Sequence, residues 1–331
     1  MLAFDLELER VINEIIDKKA NKIFIQLPEG LKQYGLKISE ILEQKTEATI
    51  YFSSDPCYGG CDLAIKEAKE LGCDLIIHFG HSPFITNSTL PVLYIRTKIL
   101  LDTDFRRKIE KELPINKKVG IASIIQYLEI IKDIKGMLES RGCSVIIPPK
   151  IGKVEFAGQI LGCEYSSLRS ILNKVDCYLI IGSRFHSLGA SLKFKKPVFL
   201  LDPYSEKIED MESLKKSILK QRYAVISKAK NLDKFGILIG MKVGQFNHES
   251  ALKIKKILES RGKKSILIAI NDISPNSLDN FTDINVFVNT ACPRVSIDDV
   301  TRFNKPIMTE KECMVALGKL SWIDLLEKGF F

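Results

Sequence analysis

A unit that comes back constrains this chain more than any single motif. The run Lys118-Val119-Gly120-Ile121-Ala122 leads into a helical pattern carrying Ile125, Leu128, Ile131, Ile134 and Leu138, which closes on Leu138-Glu139-Ser140-Arg141-Gly142. The run Lys234-Phe235-Gly236-Ile237-Leu238-Ile239 leads into Leu252, Ile254, Ile257 and Leu258, and closes on the same five residues, Leu258-Glu259-Ser260-Arg261-Gly262. Glycine stands where a helix C-cap needs it. A third segment opens the same way: Lys22-Ile23-Phe24-Ile25-Gln26-Leu27 precedes apolar positions at Leu31, Leu36, Ile38, Ile41 and Leu42. This is an internal repeat with a period above 100 residues.

Each helix is followed by a short β-branched run (49–52, 144–147, 264–269), a loop, a further helix and a third strand-like run (74–77, 177–181, 284–289). A fourth short strand is expected at 92–95, 198–201 and 307–308. Strands alternating with amphipathic helices make βαβ units and parallel sheets. The expectation is an α/β fold of three similar small parallel-sheet domains arranged by triplication: residues 1–112, 113–205 and 206–331. Residues 205–231, lysine-rich and helical in pattern, would carry the chain into the third. Thr309 is expected to cap a final helix and Trp322 to anchor the C-terminal segment.

At 331 residues and 45% hydrophobic content the chain can bury such cores. Its apolar runs fall well short of the roughly 18 residues of a membrane span, so no membrane partner is expected. The first residues are acidic and amphipathic with no basic stretch, which does not read as a signal peptide. Eight irregularly spaced cysteines then suit a reducing, cytoplasmic setting. The net charge of +8 comes from lysines interleaved with acids, as in Lys66-Glu67-Ala68-Lys69-Glu70. That is a solvated face rather than a nucleic-acid groove, and no direct nucleic-acid binding is expected.

The cysteines divide into two kinds. Cys73, Cys143 and Cys177 lie in or beside strand-like runs and Cys313 on a helix, where cysteine serves as a small buried hydrophobe. Cys61, Cys163 and Cys292 sit in turns with permissive neighbours: Gly59-Gly60-Cys61, Gly162-Cys163 and Cys292-Pro293. One falls in each repeat, so a pseudo-threefold arrangement could bring them together. A helix following Cys61 would favour its thiolate. There is no CxxC pair and no CxxxCxxC run, which argues against zinc ribbons and ordinary radical-enzyme clusters. Cys57 and Cys61 form a CxxxC pair, weak evidence for a metal by itself. Three thiolates around a 4Fe–4S cluster would leave one iron open. On spacing alone, a plain nucleotide-binding α/β protein stays open too.

The stretches Leu27-Pro28-Glu29-Gly30-Leu31, Asp55-Pro56-Cys57-Tyr58-Gly59-Gly60-Cys61-Asp62, His78-Phe79-Gly80-His81-Ser82, Gly158-Gln159-Ile160-Leu161-Gly162-Cys163, Asp202-Pro203-Tyr204 and Cys292-Pro293-Arg294 together resemble the archaeal diphthamide synthases, the 2-(3-amino-3-carboxypropyl)histidine synthase family. Arg302-Phe303 with Lys305-Pro306 extends the resemblance over nearly the whole chain. It implies three α/β domains, a homodimer, and a 4Fe–4S cluster on Cys61, Cys163 and Cys292, with Cys57 a bystander. It also implies reductive cleavage of the Cγ–S bond of S-adenosylmethionine. The 3-amino-3-carboxypropyl group then passes to the imidazole C2 of a histidine in translation elongation factor 2, with an unidentified low-potential electron donor.

Loops carrying Pro28, Glu29, Gly30, Gly80, Ser82 and Gln159 are candidates for lining the S-adenosylmethionine pocket. His78 reads more simply as a strand-end histidine, and Arg294 with Asp298 either as substrate-orienting groups or as a salt bridge. Two rivals remain. A quinolinate-synthase-like iron–sulfur enzyme would share the three domains and three cysteines. A non-catalytic electron-relay subunit would share the fold.

Overall fold

A computed structural model describes residues 3–100, 109, 112 and 114–330. The expected boundary at 112/113 abuts residues outside this set. The chain runs β1 (Ala3–Asp5), β2 (Lys22–Gln26), β3 (Thr49–Phe52), β4 (Leu75–Phe79), β5 (Val92–Ile95) and β6 (Lys98–Leu100). It continues with β7 (Lys118–Ser123), β8 (Ser144–Ile146), β9 (Cys177–Ile181), β10 (Val198–Asp202) and β11 (Lys207–Asp210). It ends with β12 (Lys234–Gly240), β13 (Lys264–Ile270), β14 (Val286–Asn289) and β15 (Ile307–Thr309).

Among the described residues these strands make three mainly parallel sheets, ordered β3-β2-β4-β5, β8-β7-β9-β10-β11 and β13-β12-β14-β15. The second strand of each unit lies outside the first, and the third and fourth extend the other edge. Every side chain of β4 and of β9 is buried, as expected of parallel strands covered by helices on both faces. The amphipathic helices read from sequence cover them: Gly35–Thr46, Ile131–Ser140 and His248–Glu259. Their apolar stripes enter the cores through Ile38 and Leu42, Ile134 and Leu138, and Ile254 and Leu258.

Two pairings went unforeseen. β11 adds antiparallel to the second sheet beside β10, and β1 pairs antiparallel with β6 in a separate ribbon. The connecting helix, Glu212–Ala229, is fastened to the third unit by Arg222, whose guanidinium meets the Glu312 carboxylate at 2.6 Å and the Ile307 carbonyl at 2.8 Å. Both residues are fully buried, so losing either would leave an uncompensated charge. Thr309 and Glu312 close a reciprocal capping box on Glu310–Ala316. Trp322 packs edge-on against Tyr223 and Phe330.

Candidate metal centre

In an open parallel sheet ligands gather outside the carboxyl ends of the strands, where the chain order reverses. In each unit that place lies between the first and third strands. The loops leaving those strands, at β2 and β4, β7 and β9, and β12 and β14, converge on one cleft of about 660 Å³. Its wall holds Cys61, Cys163 and Cys292, together with Pro28, Gly30, Gly80, Ser82 and Gln159. Glu29 is not on the wall: it opens a 3-10 turn at Glu29–Tyr34, and its carboxylate turns to Lys32 at 2.6 Å, where water also reaches it.

The three thiols arrive by unequal routes. Cys61 follows β3 and Cys163 follows β8, the second strands of their units, whereas Cys292 follows β14, a third strand. In the third unit, residues Asn271 to Ser274 follow the second strand and line the cleft without a cysteine.

Cys61 is held from outside its own unit. The Gly244 N–H donates to its carbonyl at 2.9 Å, and the Gln245 amide donates to its Sγ at 3.5 Å. Next to it, Asp62 pairs with Lys242 at 2.5 Å. A Cβ on Gly244 would lie 2.5 Å from the Cys61 Cβ and 2.6 Å from its Cα, so only glycine lets the two loops meet. Gly60 is equally committed, because a Cβ there would run into the Ser82 carbonyl. The helix expected behind Cys61 begins only at Ile65, too far along the chain for its terminus to act on the thiol.

Cys163 is exposed in the concave wall beside Gly162, whose carbonyl accepts the Tyr165 hydroxyl at 3.0 Å. Cys292 is the N-cap residue of Pro293–Asp298; desolvation raises its thiol pKa, and hydrogen bonds from the Arg294 and Val295 amides offset part of that rise. Its turn is fixed from inside by Asn289, which donates to the Cys292 carbonyl at 2.7 Å and accepts the Ala291 N–H at 2.9 Å.

Desolvation between the cleft walls raises all three thiols, Cys163 to about 12 even though its surface still meets the open cleft. The charges of Cys61 and Cys292 also raise Cys163, and Cys61 raises Cys292, so the three lie within electrostatic reach of one another. Three mutually repelling, desolvated thiols are costly to ionise alone and are the donor set that a cationic iron–sulfur group would satisfy. The residues fit such a group.

The remaining wall is stitched between units. Gln159 fixes its amide by accepting the Glu155 and Phe156 N–H groups, and donates to the Ser82 hydroxyl at 2.6 Å. Gln126 donates to the Gly80 carbonyl at 2.5 Å. The Arg294 guanidinium forms an ion pair with Asp298 at 2.7 Å and lies over the Phe185 ring at 4.0 Å. Asp298 is nonetheless raised to about 6, because desolvation outweighs the guanidinium's attraction. Gln126, Lys242, Gln245 and His186 belong to this wall and were not picked out from sequence. No local pattern marks them: Gln126, Lys242 and Gln245 each bond across a boundary between units, and His186 is a lone histidine in the first turn of the helix after β9, Arg184–Lys193.

Fold and cleft together define an α/β protein with one three-thiol centre built at the meeting of three sheets. Comparison with known proteins then places the chain: residues 27–326 match the model of the diphthamide synthesis protein family, and the chain belongs to that family. It is 30% identical over 317 residues to the 2-(3-amino-3-carboxypropyl)histidine synthase of Pyrococcus horikoshii, covering 95% of this chain and 91% of that protein. Subunit 1 of the Kluyveromyces lactis enzyme of that name is 32% identical, over 95% of this chain and 75% of its own. The crystal structure of Dph2 from Pyrococcus horikoshii with a 4Fe-4S cluster superposes with a TM-score of 0.88 at 29% identity, covering 100% of this chain and 94% of that one.

Proposed function

We propose that this chain is a 2-(3-amino-3-carboxypropyl)histidine synthase acting on translation elongation factor 2 in the first step of diphthamide synthesis. The observation that carries the reading is the arrival of Cys61, Cys163 and Cys292 on one cleft wall, in a chain similar to enzymes so named. In this reading residues 1–112, 113–205 and 206–331 are three copies of one unit, and each contributes one thiolate to a 4Fe–4S cluster. When bound, that cluster supplies the electron that breaks the Cγ–S bond of S-adenosylmethionine, freeing methylthioadenosine and a 3-amino-3-carboxypropyl radical for the histidine C2.

The chain's own residues bind, orient and exclude water. With three thiolates supplied, one coordination position stays open to the co-substrate. The loops carrying Pro28-Glu29-Gly30, Gly80, Ser82 and Gln159 shape the pocket for it. The Ser82–Gln159 hydrogen bond ties the first and second units across that pocket, so the wall keeps its shape when filled. The enzyme works as a cytoplasmic homodimer and takes its electron from a low-potential donor. No helix among the described residues is long and apolar enough to cross a membrane.

The test is anaerobic. The reconstituted protein is reduced with dithionite and given S-adenosylmethionine and archaeal elongation factor 2, and the factor's mass and methylthioadenosine are followed. An aminocarboxypropyl adduct with methylthioadenosine is the expected result. Methylthioadenosine without the adduct would move the acceptor elsewhere. Neither product from a protein that holds its cluster would favour the electron-relay subunit, and a product made from small metabolites alone the quinolinate-synthase type.

A further inference from the structure

One group of ligating side chains lies outside the three-thiol set. We propose that Cys57, His78 and His81 form a second, mononuclear site for zinc at the edge of the cleft, with His81 on its wall. One ligating atom from each lies within 4.8 Å of the other two. His78 Nε2 is 3.8 Å from the Cys57 sulfur and 3.0 Å from His81 Nδ1. Tetrahedral zinc with ordinary Zn–S and Zn–N bonds sets these separations at about 3.6 and about 3.3 Å. Both separations lie within a few tenths of an ångström of those values, and the fourth position would fall to a water.

The geometry is set by the fold. β4 delivers His78, fully buried, to the sheet end. Gly80 follows with φ +80, a left-handed turn that brings His81 back onto His78. Cys57 is 4% exposed and comes from the loop after β3, which also carries Cys61.

The tautomer is set as well. Gln26 accepts the Ala64 N–H at 2.9 Å and donates to the Asp62 carbonyl at 3.0 Å, which fixes its amide oxygen toward His78 Nδ1 at 3.4 Å. Nδ1 therefore carries the hydrogen, and the bare Nε2 faces Cys57 and His81. A buried amide holding the far nitrogen of a ligand histidine is the outer partner that metal-bound imidazoles ordinarily have. Burial keeps both imidazoles neutral, with His81 lowered to about 4, and holds Cys57 as a thiol at about 12. Zinc entry would displace the Cys57 proton to solvent and move the His81 proton from Nδ1 to Nε2, leaving all three donors bare.

Such a site would fasten the start of the Cys57–Cys61 loop to the end of β4, while Cys61 keeps its own supports in Gly244 and Gln245, so iron binding does not depend on it. Zinc and iron are measured together in protein grown with both metals. The expected result is about one zinc per chain, kept in the triple variant Cys61→Ser, Cys163→Ser, Cys292→Ser and lost in Cys57→Ala and His81→Ala. Cobalt added to the metal-free triple variant should give a thiolate charge-transfer band that Cys57→Ala abolishes. Zinc absent from the wild type, retained in Cys57→Ala, or lost with the three cleft cysteines would overturn the proposal. Should the triple variant not fold, wild type and Cys57→Ala with full iron content decide it: zinc in the first alone supports the site, and equal zinc in both refutes it. Because iron is counted separately, a failure here leaves the cleft reading standing.

Discussion

The cysteine loops of the first two units and that of the third solve the same problem differently. Cys61 and Cys163 leave second strands, and Cys292 leaves a third strand. All three sheets repeat one strand order, so the scaffold is regular while its thiols are not. The sequence spacing carries this difference: 102 residues separate the first two cysteines, and 129 the last two. The excess is about the length of one helix-and-strand step. What the comparison teaches is that the cleft is defined by where strand ends meet. Any loop reaching that place can supply a thiolate, and the supports differ accordingly. Cys61 is held by a neighbouring unit, Cys292 by its own Asn289 and helix amides, and Cys163 sits exposed beside a glycine.

If the irregular third thiol is an equal member of the set, Cys292→Ala should abolish methylthioadenosine release as completely as Cys61→Ala or Cys163→Ala. A partly active Cys292 variant would break the comparison. Next in size is the contrast between two glycines. Gly244→Ala drives a methyl into the backbone of Cys61, and iron incorporation should fall by about tenfold, the 1.4 kcal/mol that modest overpacking costs. Gly162→Ala meets only side-chain atoms of Phe185, a ring 39% exposed that can turn outward at the cost of its contact with Arg294. Its iron content should stay within about twofold of wild type, a few tenths of a kcal/mol.

A smaller effect separates Cys61 from Cys163 in the metal-free protein. Desolvation raises the Cys61 thiol pKa and the Gln245 amide offsets part of the rise, so Gln245→Ala should slow iodoacetamide alkylation of Cys61 and leave Cys163 unchanged, read by peptide mass mapping. The least effect is on pH stability. His186 lines the cleft with its pKa lowered to about 3 from 6.5, by burial first and then by Arg294. A depressed histidine contributes stability above its unfolded pKa and loses it as pH falls through the folded one. The melting temperature of the metal-free protein should therefore drop from pH 6.5 downward, and His186→Gln should shallow that slope.

Strands, helices and the two classes of cysteine were legible because their signals are local. A 3.6-residue stripe, a C-cap glycine or a glycine beside a cysteine needs no partner from elsewhere in the chain. The β1–β6 ribbon and the β11 addition were not legible, since short strands with distant or reversed partners leave no periodicity. The equivalence expected of the three cysteines was read from one-per-repeat counting, which does not register which strand a loop leaves. Glu29 turns from the cleft for a local reason that the loop reading did not register: Lys32, one turn on, offers its carboxylate a nearer partner. Cys57 and His78, read as a bystander and a strand-end histidine, gained a shared meaning only once Gly80 folded His81 against them.

The most direct measurement compares two cysteines four residues apart. Cys57→Ala and Cys61→Ala would each be reconstituted anaerobically with iron and sulfide, and iron counted per chain beside the wild type. The account predicts about four irons in Cys57→Ala, as in the wild type, and a collapse in Cys61→Ala. Full iron in Cys61→Ala, or its loss from Cys57→Ala alone, would contradict the three-thiol centre.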